Sequence, residues 1–149
     1  MYNHILIPTD GSDLAYRGVE QGLSLARQLG SKVTIVTVTE SFPLNGVSMG
    51  GEWVAGPPEY ARYDEAQKQF AEGILSAAKN EAAKLGVDAK TLHVANQHPA
   101  TGILEAAVAH DCDLIVMASH GRRGIQRLLL GSQTAEVLAH SHAAVLVVR

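Results

Sequence analysis

Residues 118–134 read Ala-Ser-His-Gly-Arg-Arg-Gly-Ile-Gln-Arg-Leu-Leu-Leu-Gly-Ser-Gln-Thr, a collection of residue types suited to holding an anion. Gly121, Gly124 and Gly131 let the backbone turn and approach a ligand without interference from a Cβ. Gly131 and Ser132 stand just before Gln133–His140, which reads as a short helix. Its first backbone N–H groups and the positive end of its dipole would point at a phosphate there. Ser132 and Thr134 add hydroxyls. Arg122, Arg123 and Arg127 add local positive charge, and a guanidinium can grip phosphate with two parallel hydrogen bonds. Structural turn glycines and solvated surface arginines are the competing readings of the same residues. Neither a GxxxxGK[ST] loop nor a GxGxxG after the first strand is present.

A second segment, Pro8-Thr9-Asp10-Gly11-Ser12, ends another apolar run. A carboxylate such as Asp10 at a strand terminus can accept from ribose hydroxyls or hold a metal bridging to phosphate; its alternative is a turn aspartate that caps a helix. His120 lies in the first segment, but spacing supplies no carboxylate or nucleophile to work with it. A lining role therefore ranks above acid–base work. Cys112 between Asp111 and Asp113 reads as a structural thiol, because neighbouring acids oppose the thiolate. His140 and His142 flank Ser141 without a set of further ligands, so they read as a polar turn. Trp53 reads either as a lid over a bound base or as a contact with a second copy.

These segments need a frame, and the pattern supplies one. The apolar runs His4–Pro8, Lys32–Thr39, Thr91–Ala95, Asp113–Ala118 and Ala143–Val148 read as strands. Helices are expected from Ser12 or Asp13 to Gly30, over Glu59–Leu85 ending at Gly86, over Pro99–His110, and over Gln133–His140. In the first helix Leu14, Val19, Leu23, Leu25, Ala26 and Leu29 recur at roughly helical spacing. The charged helix Glu59–Leu85 reads as a solvated amphipathic one. Residues 40–58, with Gly46, Gly50, Gly51, Gly56 and three prolines, read as one long loop. Alternating strands and helices, with strands apolar throughout, predict an α/β domain with a single doubly wound parallel sheet. Ligands of such sheets bind at strand carboxyl ends, where the strand order switches direction.

The whole-chain numbers agree. The sequence has 149 residues, the length of one domain, with 46% hydrophobic and 18% charged residues and a formal charge of -3. That charge argues against generic nucleic-acid binding. A single cysteine excludes an internal disulfide and suits a reducing, cytoplasmic setting. The apolar N-terminal stretch is too short for a signal peptide or a membrane span.

The segments ILIPTDGS and DLIVMASHGRRGIQRLLLGSQTAEVLAHSHAAVLVV resemble the universal stress protein family, and the resemblance runs along essentially the whole chain. The nucleotide-binding members carry G-x2-G-x9-G-[ST]. Gly121 and Gly131-Ser132 match that spacing, while Ala118 replaces its first glycine. The resemblance implies an adenine nucleotide alpha hydrolase-like (Rossmann-like) domain over 1–149, with five parallel strands in the order 3-2-1-4-5. It places Pro8, Thr9 and Asp10 against adenine and ribose, and Val38 against adenine. Met117, Ala118, His120, Gly121 and Arg122 would line ribose and phosphates, and Gly131, Ser132, Gln133 and Thr134 would hold the phosphates. It implies ATP, AMP or another adenine nucleotide as ligand, with Mg²⁺ as a companion of a triphosphate. It also implies a stress-response role as a binding or regulatory module with at most very slow ATPase activity, and a homodimer through Ala143–Val148, an apolar terminal strand that is also a pairing edge. The competing class is a nucleotide-independent interaction or chaperone-like protein, which the methyl group of Ala118 keeps open.

Overall fold

The computed structural model describes residues 1–43, 56–120 and 130–149. Five strands, β1 (His4–Pro8), β2 (Lys32–Val38), β3 (Ala89–Val94), β4 (Leu114–Ala118) and β5 (Ala144–Val148), form one sheet in the order β3-β2-β1-β4-β5. Every pairing in it is parallel. This is the expected α/β architecture, with β1 and β4 as neighbours at the point where the order reverses.

Both faces of the sheet are covered, which is why its central strands are apolar without alternation. Successive residues of β1 point to opposite sides. Ile5 and Ile7 pack with Val19 and Leu23 of α1 (Asp13–Leu29) and with Leu75 and Ala78 of α2 (Pro57–Lys84). Leu6 faces the other way, toward Ala100 and Ile103 of α3 (Pro99–Ala109) and Val137 of α4 (Ser132–His140).

Helix α1 starts where Ser12 accepts a hydrogen bond from the Ala15 N–H at 3.1 Å and stops at Gly30, whose φ of 68° is left-handed. Its buried stripe is not the one that large apolar residues alone suggest. Leu29 is exposed, whereas Gly18 and Gly22 are buried. A Cβ on Gly22 would stand 2.6 Å from Ile7 Cδ1, and one on Gly18 3.1 Å from the Ala118 nitrogen. The two glycines let α1 lie close against β1 and β4.

Two boundaries differ from expectation by two residues. Helix α2 begins at Pro57, inside the segment expected to be loop. Gly56 is its N-cap, proline opens the first turn, and Glu59 Oε2 accepts from the Gly56 N–H at 2.9 Å. Strand β3 begins at Ala89, which is buried and pairs with Val33. Residues 44–55, with Gly46, Gly50, Gly51 and Trp53, lie outside the described residues, so neither reading of Trp53 is addressed. Among the described residues no helix is long and apolar enough to cross a membrane.

Candidate functional site

The carboxyl ends of β1, β2 and β4 open into one cleft of about 450 Å³, within the size range of small-molecule sites. Pro8, Thr9 and Asp10 line it from β1 and Val38 from β2. Met117, Ala118 and His120 line it from β4, and Gly131, Ser132, Gln133 and Thr134 from the start of α4. All the described residues that the resemblance assigns to the nucleotide site thus share one cleft. Gly121 and Arg122, together with Arg123, Gly124 and Arg127, lie outside the described residues.

The turn after β1 is held from several sides. The Thr9 N–H donates to the Val36 carbonyl at 2.9 Å, and the buried Thr37 hydroxyl donates to the Thr9 carbonyl at 2.9 Å. Thr9 Oγ1 accepts from the Gly11 N–H at 3.2 Å. Asp10 Oδ1 accepts from the Ser12 N–H at 2.9 Å, an Asx turn leading into α1. Asp10 is therefore a turn aspartate and a cleft residue at once. Gly11 has φ 79°, and a Cβ there would meet Ile74 Cγ1 at 2.8 Å. Both conformation and space require the glycine.

The opposite wall joins β4 to α4. The Ser119 N–H donates to the Val148 carbonyl at 2.8 Å, and the Gly131 N–H donates to the Ser119 carbonyl at 2.7 Å. The buried Thr134 hydroxyl donates to the Ala118 carbonyl at 2.9 Å. Gln133 Oε1 accepts from the Ala100 N–H at 2.9 Å, which ties α4 to the first turn of α3. The hydrogen of Thr134 and the N–H of Gly131 are thus used to fix the helix against the strand. The N–H groups of Ser132, Gln133 and Thr134 open α4 and have no acceptor within the helix. With the helix dipole they make this end of the cleft electropositive. Ser119 Oγ and His120 Nδ1 are hydrogen-bonded at 3.0 Å, which orients the imidazole at the cleft rim.

Sequence reasoning missed the far wall. Tyr63, Gln67 and Phe70 of α2 line the cleft, as do Pro99 and Ile103 of α3. The α2 residues recur at i, i+4 and i+7, a signal that was present but sat within a helix rich in charge. Cys112 lies away from the cleft. Burial, and then Asp113 and Asp111, push its thiol up to about 11. Among the described residues no three His, Cys, Asp or Glu side chains are grouped to hold a metal ion.

A cleft at the switch point of a 3-2-1-4-5 parallel sheet, with a helix N-terminus at one end, defines a doubly wound α/β domain with its ligand-sized cleft at the strand carboxyl ends. The chain belongs to the universal stress protein family, whose model matches residues 1–149. It is 32% identical over 149 residues to the universal stress protein MJ0531 of Methanocaldococcus jannaschii, covering 100% of this chain and 83% of that one. Among solved structures it resembles protein MJ0577, with a TM-score of 0.83 and 26% identity, covering 99% of this chain and 96% of that one. It also resembles a universal stress protein in complex with cAMP, with a TM-score of 0.72 and 26% identity, covering 99% and 97%.

Proposed function

We propose that the cleft binds an adenine mononucleotide, ATP or AMP, and that the protein is a binding and regulatory module of the stress response with little or no catalysis. The observation that carries this reading is the meeting of the Pro8–Asp10 turn, Val38, the end of β4 and the start of α4 around one cleft. The cAMP complex of a similar protein supports the ligand class. In this reading the first N–H groups of α4 hold phosphate, Met117, Ala118 and His120 line the ribose and phosphates, Asp10 meets the ribose, and Pro8 and Val38 lie against the base. Thr134 and Gly131 act by holding α4 in place. Gly121 and Arg122 would complete the phosphate end. Mg²⁺ accompanying a triphosphate would take most of its ligands from phosphate and water, since the described side chains offer no cage.

The protein acts as a homodimer in this proposal, formed along β5. That strand ends the sheet, and its Leu146 is 43% exposed. Leu146→Arg should shift the protein toward monomer in light scattering; an unchanged mass would remove β5 from the interface. The single cysteine and acidic charge fit a cytoplasmic protein with no affinity for nucleic acid or membrane. The ligand itself is tested by heating purified protein and analysing the supernatant by chromatography. Release of an adenine nucleotide is expected. A supernatant free of nucleotide, from protein that also fails to take up added ATP or AMP, leaves the nucleotide-independent interaction protein as the reading.

A further inference from the structure

We infer that Gln67 reads the base, accepting from the exocyclic amine of adenine and donating to its N7, so that adenine is preferred over guanine. This rests on the proposed nucleotide site and deepens it.

The argument begins with position. Tyr63, Gln67, Phe70 and Ile74 form one stripe on α2 at i, i+4, i+7 and i+11. Both ends of the stripe are anchored. Tyr63 Oη donates to the Glu40 carbonyl just beyond β2 at 3.3 Å, and the Ile74 side chain packs against Gly11 just beyond β1. Phe42 holds Tyr60 and Tyr63 edge-on, with ring centroids 4.9 and 5.3 Å apart. The stripe therefore crosses the mouths of β2 and β1, whereas the N-terminus of α4 is braced on β4, on the other side of β1. Phosphates at α4 leave the base end of the ligand facing α2.

The atoms of Gln67 follow from the hydrogen-bond chain. Tyr63 has one hydroxyl hydrogen, and the Glu40 carbonyl takes it, so Tyr63 must accept from its other neighbour. Gln67 supplies that hydrogen from Nε2 at 2.7 Å. The amide orientation is thereby set. Oε1 and the second N–H of Nε2 remain, and no described residue pairs with either. A carboxamide with these two atoms available matches the N6 amine and N7 of adenine. Guanine presents acceptors at both positions, so Oε1 would face O6 of the base. Phe70, on the same stripe, also lines the cleft.

The test is calorimetric titration of the full chain with AMP, GMP and inorganic tripolyphosphate, for the unmodified protein and for Gln67→Leu, with thermal melts of both. The unmodified protein should prefer AMP over GMP by about tenfold or more. Gln67→Leu should lose most of that preference while its tripolyphosphate affinity stays unchanged. Retention of the full AMP preference by Gln67→Leu would overturn the assignment and leave the nucleotide site standing. If the unmodified protein bound neither AMP nor tripolyphosphate, both readings would fall. A second measurement needs no variant. Replacing AMP by 7-deaza-AMP removes the N7 acceptor and should weaken binding several-fold, and equal affinity would count against Gln67.

Discussion

Thr134 donates its hydroxyl hydrogen to the carbonyl of Ala118 at 2.9 Å, and both residues are buried. This bond couples the last residue of β4 to the first turn of α4, the two elements at the end of the cleft where phosphate is proposed to bind. It also commits the Thr134 hydroxyl hydrogen to the strand, while its backbone N–H remains in the first turn of α4. Removing the hydroxyl leaves a buried carbonyl without its partner, at a cost of about 1–3 kcal/mol. Thr134→Val should therefore lower the melting temperature by about 2–4 °C for each kcal/mol lost, and Thr134→Ser should recover most of it. Calorimetry of the two variants checks this, and equal melting temperatures for Thr134→Val and the unmodified protein would refute it.

Gly131 is required by space rather than by conformation. Its φ of -59° is open to any residue, but a Cβ there would lie 3.1 Å from the Ser119 carbonyl oxygen and 3.3 Å from His120 Cα. Gly131→Val should displace α4 from the end of β4 and weaken nucleotide binding by about tenfold or more, equivalent to ~1.4 kcal/mol. The mass of the proposed dimer should be unchanged, because a side chain at 131 meets Ser119 and His120 rather than the free edge of β5, whose other edge pairs with β4. Undiminished binding by a folded Gly131→Val protein would place the phosphates elsewhere.

Stability should fall toward acid pH in two stages. Burial lowers the pKa of His4 below its ordinary 6.5, against a partial opposing effect of the His110 backbone. The unfolded chain then takes up that proton first, so stability is lost as pH falls from 6.5 through the folded value. Asp113 behaves as a depressed carboxylate. Burial pushes it up, but the N–H groups of Asn3 and His4 outweigh that, with bonds of 2.8 and 3.0 Å. Its contribution is present above the ordinary carboxylate value and is lost as pH falls through the folded one. Urea midpoints measured across pH should show both stages. Asp113→Asn should shrink the lower one, to which Glu81, also depressed by its hydrogen bond with Lys84, contributes, and a profile identical to that of the unmodified protein would refute the assignment.

Cys112 should be unreactive in the folded state. Burial and two flanking carboxylates raise its thiol to about 11, which suppresses the thiolate at neutral pH. Iodoacetamide at pH 8 should label it slowly, with a sharp rise once urea unfolds the chain. Equal rates folded and unfolded would show that the thiol is not protected.

Much of this molecule was legible in the sequence for a simple reason. A parallel strand buried on both faces reads as an unbroken apolar run, as in Ile5–Ile7 and Leu114–Val116. Ser12 and Gly30 announced the two ends of α1 by their chemistry. The start of β3 was not visible, because Ala89 owes its place to pairing with Val33 across the sheet. Nor was the buried stripe of α1, since glycines at 18 and 22 carry no hydrophobic signal and are buried by the close approach of Ile7 and Ala118. In the site, both strand-end segments could be found from residue type. The α2 wall could not, because Tyr63, Gln67 and Phe70 acquire meaning only when Glu40 and Gly11 fix where the helix lies. The order of the strands came from family resemblance rather than from periodicity.

The most direct test of the central claim is calorimetric titration of the purified protein with ATP and with AMP at neutral pH. Saturable binding of one nucleotide per chain is expected, lost in Gly131→Val. No binding of either nucleotide at about 1 mM, a concentration that would detect affinities of only ~4 kcal/mol, would contradict the account if the protein were shown to be folded by its thermal transition.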